Sequence, residues 1–115
     1  MPHLQIACYP QFNLEPLADA LVTEFCQIET VDPASVKAYF QHSEWFVGGE
    51  GAPRGFVHLT ICVLSGRSPE ILRSMSERLY QVGELLLAGQ LAEPVSWTVE
   101  VREMDRDTYR KGVIG

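Results

Sequence analysis

The chain has 115 residues, of which 46% are hydrophobic and 21% charged, and this is enough apolar material to bury a core. Its formal net charge is −6 and its lysines and arginines are scattered, so nucleic acid, whose affinity depends on clustered cations, is not an expected partner. No apolar run approaches the roughly 20 residues that span a bilayer, and the N-terminus lacks the basic and long apolar regions of a signal peptide. We therefore expect one cytoplasmic domain over residues 1–115, with no membrane partner.

The cysteines and histidines do not indicate a metal centre. Cys8, Cys26 and Cys62 form neither a C-x-x-C pair nor a zinc-binding spacing, and the histidines lack an H-E-x-x-H pattern. All three cysteines lie in apolar segments, which predicts reduced thiols in the core. The chain also has no phosphate-binding glycine loop and no G-x-S-x-G motif. We expect no metal.

The chain begins with Met1 and Pro2. Removal of the methionine, which is usual before so small a residue, would leave Pro2 with a free secondary amine, whereas a peptide-bonded proline has no basic nitrogen. Unperturbed α-amino groups titrate at about 7.7–8.0, and burial or a neighbouring cation lowers that pKa. Because a general base works best with a pKa near the operating pH, Pro2 is a candidate base. The alternative is that Met-Pro is an ordinary way for a chain to begin.

The first part of the chain predicts a strand, a helix and a second strand. Alternation of apolar and polar residues from His3 to Cys8 predicts a strand that ends at Pro10. Asn13 is a suitable helix cap, and a second strand is expected from about Ser35 to Val47. Between the two strands, apolar residues at three- and four-residue steps form one helical stripe: Leu14, Leu17, Leu21, Phe25 and Ile28.

The chain from Gly55 onward again predicts a strand, a helix and a strand. The segment from Gly55 to Leu64 is apolar on one face and mostly apolar on the other, as in a strand covered on both faces, and a second subunit is the expected cover for one of them. Ser68, Pro69 and Glu70 form a strong helix start, and Gly89 is the expected stop. The helix stripe is Leu72, Met75, Leu79, Val82 and Leu86, and the fourth strand is indicated by alternation at Val95, Trp97, Val99 and Val101.

These elements predict an α+β fold built from two strand–helix–strand units. Crossovers between parallel strands are right-handed in nearly all cases, so both helices should lie on one face of a four-stranded mixed sheet. The other face is left bare and must find a partner. The element order therefore predicts an oligomer.

The segment Gly66–Ser68 is the best local candidate for an anion site. It lies where a buried strand passes into a helix, so unpaired N–H groups and the positive end of the helix dipole are close together. The guanidinium of Arg67 adds a fork that binds a carboxylate at two points. The alternative is a surface arginine paired with an acid such as Glu70. Lys37 is a possible second cation, or a solvated lysine.

Four short motifs carry a family resemblance: Met1-Pro2-His3 at the start, Phe56–Thr60 in the third strand, Gly66–Ser68 before the second helix, and Thr108–Lys111 near the end. Together they resemble the 5-carboxymethyl-2-hydroxymuconate isomerase family of the tautomerase superfamily, whose members use an amino-terminal proline. The order and spacing of the motifs cover nearly the whole chain.

The resemblance implies a tautomerase fold assembled as a homotrimer with the sheets packed inward. It also implies a cofactor-free isomerase of homoprotocatechuate-type aromatic catabolism, with a small carboxylate as substrate and Pro2 as the catalytic base. Arg67 matches the arginine of the family's GRS motif and would bind the substrate carboxylate or stabilise the developing enolate. Lys37 stands where the family tends to have arginine, and a lysine cannot clamp a carboxylate at two points. The Gly48–Arg54 loop also departs from the family pattern and is expected to reshape the pocket.

Two alternatives to this activity stay open. One is a non-catalytic oligomeric α+β module that binds a small carboxylate or another protein. The other is a superfamily member with different chemistry, such as a dehalogenase or a phenylpyruvate-type tautomerase. The fold alone does not separate them, because one fold supports many functions.

Overall fold

The computed structural model describes residues 2–115. The elements are β1 (His3–Tyr9), α1 (Glu15–Phe25), β2 (Lys37–His42), β3 (Phe56–Leu64), α2 (Pro69–Gln90) and β4 (Ser96–Met104), with a 3₁₀ turn at Pro33–Ser35. Strands β1 and β2 pair in parallel, β1 and β3 pair antiparallel, and β3 and β4 pair in parallel, giving the sheet order β2-β1-β3-β4. The predicted mixed sheet of two strand–helix–strand units is confirmed.

One face of the sheet is covered by both helices, as predicted. Side chains on this face of β1 and β3 are fully buried against the apolar stripes of α1 and α2. Burial of one Leu, Ile or Val side chain contributes about 1.5–3 kcal/mol before conformational entropy is counted. The residues with no exposed surface are Leu4, Ile6, Cys8, Leu17, Leu21, Phe25, Val57, Leu59, Ile61, Val63, Met75 and Leu79.

The opposite face, called the open face below, carries the alternate residues of each strand. In β3 the predicted alternation is found, and two polar residues, His58 and Thr60, stand in the middle of this otherwise apolar face. Cys62 lies on this face as well and is half-buried, as is Cys26 after α1, so the prediction of a core thiol is wrong for both and is confirmed for Cys8. The open face is therefore a polar surface with apolar ends.

The start of α2 is confirmed in detail. The Ser68 hydroxyl accepts a hydrogen bond from the Ile71 N–H at 3.3 Å, and Pro69 occupies the first turn. The expected stop at Gly89 is wrong, because the helix continues to Gln90 and the backbone becomes extended at Leu91. A glycine within the last turn weakens a helix without ending it unless it takes a left-handed conformation.

The first half departs from prediction at two boundaries. Asn13 accepts from the Glu15 N–H at 3.3 Å, but the residue that caps α1 is Leu14, one position later. Strand β2 is shorter than expected. Its start is delayed by the 3₁₀ turn, which the Asp32 carboxylate caps through the Ala34 N–H at 3.1 Å. Its end at His42 follows from the end of β1, since no strand is left to pair with beyond that point.

Neither helix in residues 2–115 is long and apolar enough to cross a membrane.

Candidate functional site

Strands β1 and β2 begin, and β3 and β4 end, at the same end of the sheet. This end is called the proline end because Pro2 directly precedes β1. Pro2 is buried, and its carbonyl accepts a hydrogen bond from the Lys37 N–H at 3.1 Å. The Lys37 side chain is exposed and starts β2 directly beside His3. The structure therefore brings Pro2 and Lys37 together.

Arg67 lies at the same end, in the turn between β3 and α2. Its Nε and Nη2 donate to the hydroxyl and the carbonyl of Thr30, both at 3.1 Å, and its Nη1 donates to the Leu64 carbonyl at 3.3 Å. The guanidinium thus ties the α1–β2 connection to the end of β3. Three of its five N–H donors are used in this way, which leaves two for a ligand.

The alternative pairing of Arg67 with Glu70 is not among the contacts of the described residues 2–115. The ion pairs there include His58–Glu100, Arg78–Glu24 and Arg102–Glu100, and none of these carboxylates is paired with Arg67.

Arg106 is a further cation at the proline end that the sequence analysis did not single out. Its Nε donates to the Ser65 carbonyl, which holds it over the turn before Arg67. Gly66 lies beneath it with a backbone φ of +120°, and a Cβ there would stand 3.4 Å from Arg106 Nε. Burial, and then the charge of Arg106, lower the pKa of Arg67. Two guanidinium groups therefore share one corner of a chain whose net charge is negative.

A polar network covers the open face at this end. His3 lies between two phenols, with its Nε2 3.0 Å from the Tyr109 hydroxyl and its Nδ1 3.2 Å from the Tyr39 hydroxyl. Gln5 Nε2 donates to the Tyr39 hydroxyl at 2.9 Å. Burial and the nearby charge of Lys37 lower the pKa of His3, which favours its neutral form.

His3 and Tyr109 belong to the sequence motifs, and the alternation of β2 places Tyr39 on the same face as Lys37, two residues away. Neither signal marks the three side chains as one site. The contact between His3 and Tyr109 joins residues at opposite ends of the chain. No local signal in the sequence marks it.

A second polar cluster lies further along the open face. His58 contacts the Thr98 hydroxyl through Nδ1 at 2.6 Å and the Glu100 carboxylate through Nε2 at 2.7 Å. Arg102 donates to both oxygens of Glu100, at 2.9 and 3.2 Å. Hydrogen bonds from Arg102 and then from His58 lower the pKa of Glu100. The cluster is internally paired and does not include Pro2.

A cavity of about 720 Å³ lies at the opposite end of the sheet, called the cavity end. Its walls include Phe12, Phe46 and Leu91 together with the Gly48–Arg54 loop. Within one protomer this loop therefore shapes a cavity away from Pro2. In residues 2–115 no three His, Cys, Asp or Glu side chains are grouped so that they could hold a metal ion.

Comparison with solved structures shows that the chain has the tautomerase fold. The chain matches a 5-carboxymethyl-2-hydroxymuconate delta-isomerase with a TM-score of 0.84 at 18% identity, covering 98% of this chain and 88% of that one. It matches a 5-carboxymethyl-2-hydroxymuconate isomerase from Deinococcus radiodurans R1 with a TM-score of 0.80 at 21% identity, covering 96% and 88%. A fused 4-OT, described as a symmetric trimer, gives 0.67 at 22% identity, covering 90% and 86%.

No family model matches the chain, and no curated protein matches it in sequence. The resemblance drawn from the sequence motifs is thus confirmed by structural neighbours, which show the fold. The roles of Pro2, Arg67 and Lys37 stay predictions. Chemically, the proline end offers an N-terminal base once Met1 is removed, cations for a carboxylate, and phenol donors.

Proposed function

We propose that this chain, after removal of Met1, is a cofactor-free tautomerase. Its substrate would be a small unsaturated 2-hydroxy or 2-oxo carboxylic acid, and 5-carboxymethyl-2-hydroxymuconate is the first to test. The observation that carries the proposal is the grouping of buried Pro2 with Lys37, Arg67 and Arg106 at one end of the sheet. The isomerases that share the fold give independent support for the choice of reaction.

Pro2 would collect and return one proton. A free secondary amine is a stronger base than an ordinary α-amino group, and both burial and the neighbouring cations lower the pKa of an amine and so favour the neutral, proton-accepting form. The neutral nitrogen takes the proton of the enol hydroxyl and leaves a dienolate. The resulting ammonium then returns that proton to a carbon further along the conjugated chain. The enol oxygen becomes a carbonyl, and the product is an isomer of the substrate.

The cations would hold the substrate and balance its charge. Arg67 has two N–H donors left for a carboxylate oxygen. Lys37 offers a point charge on a flexible stem beside Pro2. A dicarboxylate can therefore be held at two points, with the conjugated chain between them and next to the proline nitrogen. Arg106 adds positive potential to the same corner without a carboxylate partner of its own in the described ion pairs.

We further propose a homotrimer. The open face carries half-buried polar and aromatic residues and is not covered by either helix. The fused 4-OT structures that share the fold are described as trimers. A trimer would bring three open faces together and would remove Phe56 and Leu64 from water.

The test begins with an intact mass, which establishes that Met1 has been lost. The trimmed protein should convert 2-hydroxymuconate-type dienols, followed by absorbance. Pro2→Ala should lower kcat by about 10²–10⁴-fold, since it replaces the secondary amine that acts as base. Pro16→Ala is the matched control, because Pro16 is an exposed proline in the first turn of α1. It should leave the rate unchanged.

The protein that retains Met1 separates the alternatives. In that form the Pro2 nitrogen is an amide and has no basic lone pair, so we expect no turnover. Equal activity with Met1 retained would contradict proline-based catalysis. Tight binding of a dienol analogue by the trimmed protein, without turnover, would identify a carboxylate-binding module instead. A panel that includes phenylpyruvate and halogenated acrylates tests the superfamily members with other chemistry.

A further inference from the structure

The network around His3 has a direction. Gln5 contributes an amide N–H, so the Tyr39 oxygen accepts at 2.9 Å and its own O–H is left to donate elsewhere. The next polar atom is His3 Nδ1, at 3.2 Å. If Tyr39 donates to Nδ1, then Nε2 carries the proton of the neutral ring and donates to the Tyr109 oxygen at 3.0 Å. Each group donates to the next, from Gln5 to Tyr109.

This direction is the favoured one. Hydrogen bonds arranged head to tail polarise and strengthen one another. In the reverse arrangement the Tyr39 oxygen would accept from both Gln5 and His3, and its own O–H would point away from the chain of hydrogen bonds. Lys37 also opposes a positive charge on the His3 ring, so the ring keeps one donor and one acceptor nitrogen. The consequence is that, among residues 2–115, the Tyr109 O–H ends this chain of hydrogen bonds as a donor with no acceptor assigned to it.

Tyr109 is held at the proline end by its own turn. The Asp105 carbonyl accepts from the N–H groups of Thr108 and Tyr109 at 3.2 and 3.1 Å, and the Asp105 carboxylate accepts from Asp107 N–H at 2.8 Å. Arg106, which follows Asp105 in this turn, donates a hydrogen bond to the Ser65 carbonyl. The turn is thereby fixed to the end of β3. The Tyr109 side chain is half-buried, so its ring is packed while its hydroxyl reaches the His3 ring.

We propose that the Tyr109 hydroxyl donates a hydrogen bond to the substrate oxygen on which negative charge develops, and that His3 positions it. This inference rests on the proposed tautomerase function and adds the group that stabilises the dienolate. Pro2 takes the enol proton, the charge passes to the oxygen, and Pro2 returns the proton to carbon. Tyr109 keeps its own proton throughout and only shares it with the oxygen. A donor aimed at developing charge acts mainly on kcat.

The primary test is Tyr109→Phe in the trimmed protein, which deletes one hydroxyl and keeps the ring. We expect kcat to fall by about 10²-fold with KM changed by less than about threefold, as for the loss of one oxyanion donor. Tyr80→Phe is the matched control, since the Tyr80 hydroxyl contacts Glu84 on α2. The control should leave both constants unchanged.

The role of His3 is tested by two substitutions. His3→Ala removes the donor to the Tyr109 oxygen and should lower kcat by about tenfold. His3→Gln supplies an amide N–H at similar reach and should recover most of that loss. If kcat falls equally in His3→Ala and His3→Gln, then an N–H donor at residue 3 does not position Tyr109. The ¹⁵N chemical shifts of His3 should report the Nε2–H tautomer, and an Nδ1–H tautomer would overturn the proposed direction.

The outcomes separate this inference from the function on which it rests. Turnover that Pro2→Ala abolishes and Tyr109→Phe spares overturns the inference alone. Absence of turnover in the trimmed wild-type protein overturns both. A rise in KM for Tyr109→Phe with kcat unchanged would assign Tyr109 to substrate binding and would also contradict the inference.

Discussion

The two ends of the sheet differ in chemistry although the same four strands build both. At the proline end, backbone carbonyls of Ser65 and Leu64 and the carbonyl of Thr30 accept from guanidinium groups. At the cavity end, aromatic rings pack together, with Phe46 5.1 Å from Phe56 and 5.8 Å from Tyr9 between ring centroids. One end therefore gathers positive charge in a corner crossed by hydrogen bonds, and the other encloses apolar space.

A glycine marks each end of β3, and each is there for a different physical reason. Gly55, before the strand, has no room for a side chain. Gly66, after the strand, has a backbone φ of +120° that other residues rarely adopt. The comparison teaches that the cavity end depends on close packing and the proline end on backbone conformation and charge. Four substitutions test that distinction.

The largest effect is expected for Gly55→Ala. The added Cβ would stand 2.6 Å from the Tyr9 carbonyl oxygen and 3.1 Å from Pro10 Cδ, and the first of these is backbone that cannot move without shifting β1. We expect a loss of about 3 kcal/mol in the free energy of unfolding, the upper part of the range for overpacking. Urea unfolding at fixed protein concentration measures it.

Gly49→Ala is the control for this prediction. A Cβ at Gly49 meets nothing within 4 Å, and its φ is not left-handed. Gly49→Ala should change the free energy of unfolding by no more than about 0.5 kcal/mol. If Gly55→Ala is equally mild, the cavity end is looser than the contacts of Gly55 indicate, and close packing there is the wrong description.

The second-largest effect is expected for Arg67→Ala and concerns kcat/KM. Loss of the charged donors to a substrate carboxylate should lower kcat/KM by roughly 30-fold, about 2 kcal/mol. Arg73→Ala, an exposed arginine on α2, should not change kcat/KM. Thermal unfolding of both variants is needed as well, because Arg67 also holds Thr30. Unchanged kcat/KM in a folded Arg67→Ala variant would remove this residue from substrate binding.

Features fixed by neighbouring residues could be predicted from the sequence. The start of α2 follows from Ser68 and Pro69, which act within one turn. The buried face of β3 follows from alternation, since successive side chains point to opposite faces. Boundaries that depend on distant partners were missed. The end of β2 is set by where β1 ends, and no residue near His42 signals it.

The candidate site also has a part that single residues predict and a part that depends on distant partners. Pro2, Lys37 and Arg67 were singled out because their residue types carry the chemistry by themselves. The contact of Arg67 with Thr30 and that of His3 with Tyr109 join segments that are distant along the chain. Sequence patterns describe local conformation and not which loops meet at a sheet end. The network that assigns a hydrogen-bond direction therefore required the structure.

The third-largest of the four effects is expected for Gly66→Ala and concerns the free energy of unfolding. An alanine at φ +120° is strained, whereas its Cβ would only make van der Waals contact with Arg106 Nε at 3.4 Å. We expect a loss of about 1–2 kcal/mol in the free energy of unfolding, since strain of this kind costs about 1–3 kcal/mol. Gly112→Ala, in open space in the tail, is the control and should be nearly neutral. A neutral Gly66→Ala would mean that the turn before Arg67 adjusts freely, which contradicts a backbone-determined proline end.

The smallest effect is expected for Phe46→Leu at the cavity end. Leucine keeps apolar bulk but loses the ring contacts with Phe56 and Tyr9, so the unfolding free energy should fall by about 0.5–1 kcal/mol. Trp45→Leu is the adjacent control, because Trp45 is 77% exposed and makes none of these ring contacts. Chemical denaturation of both variants measures the difference. If the two substitutions cost the same, the ring contacts add nothing to the stability of the cavity end beyond their apolar area.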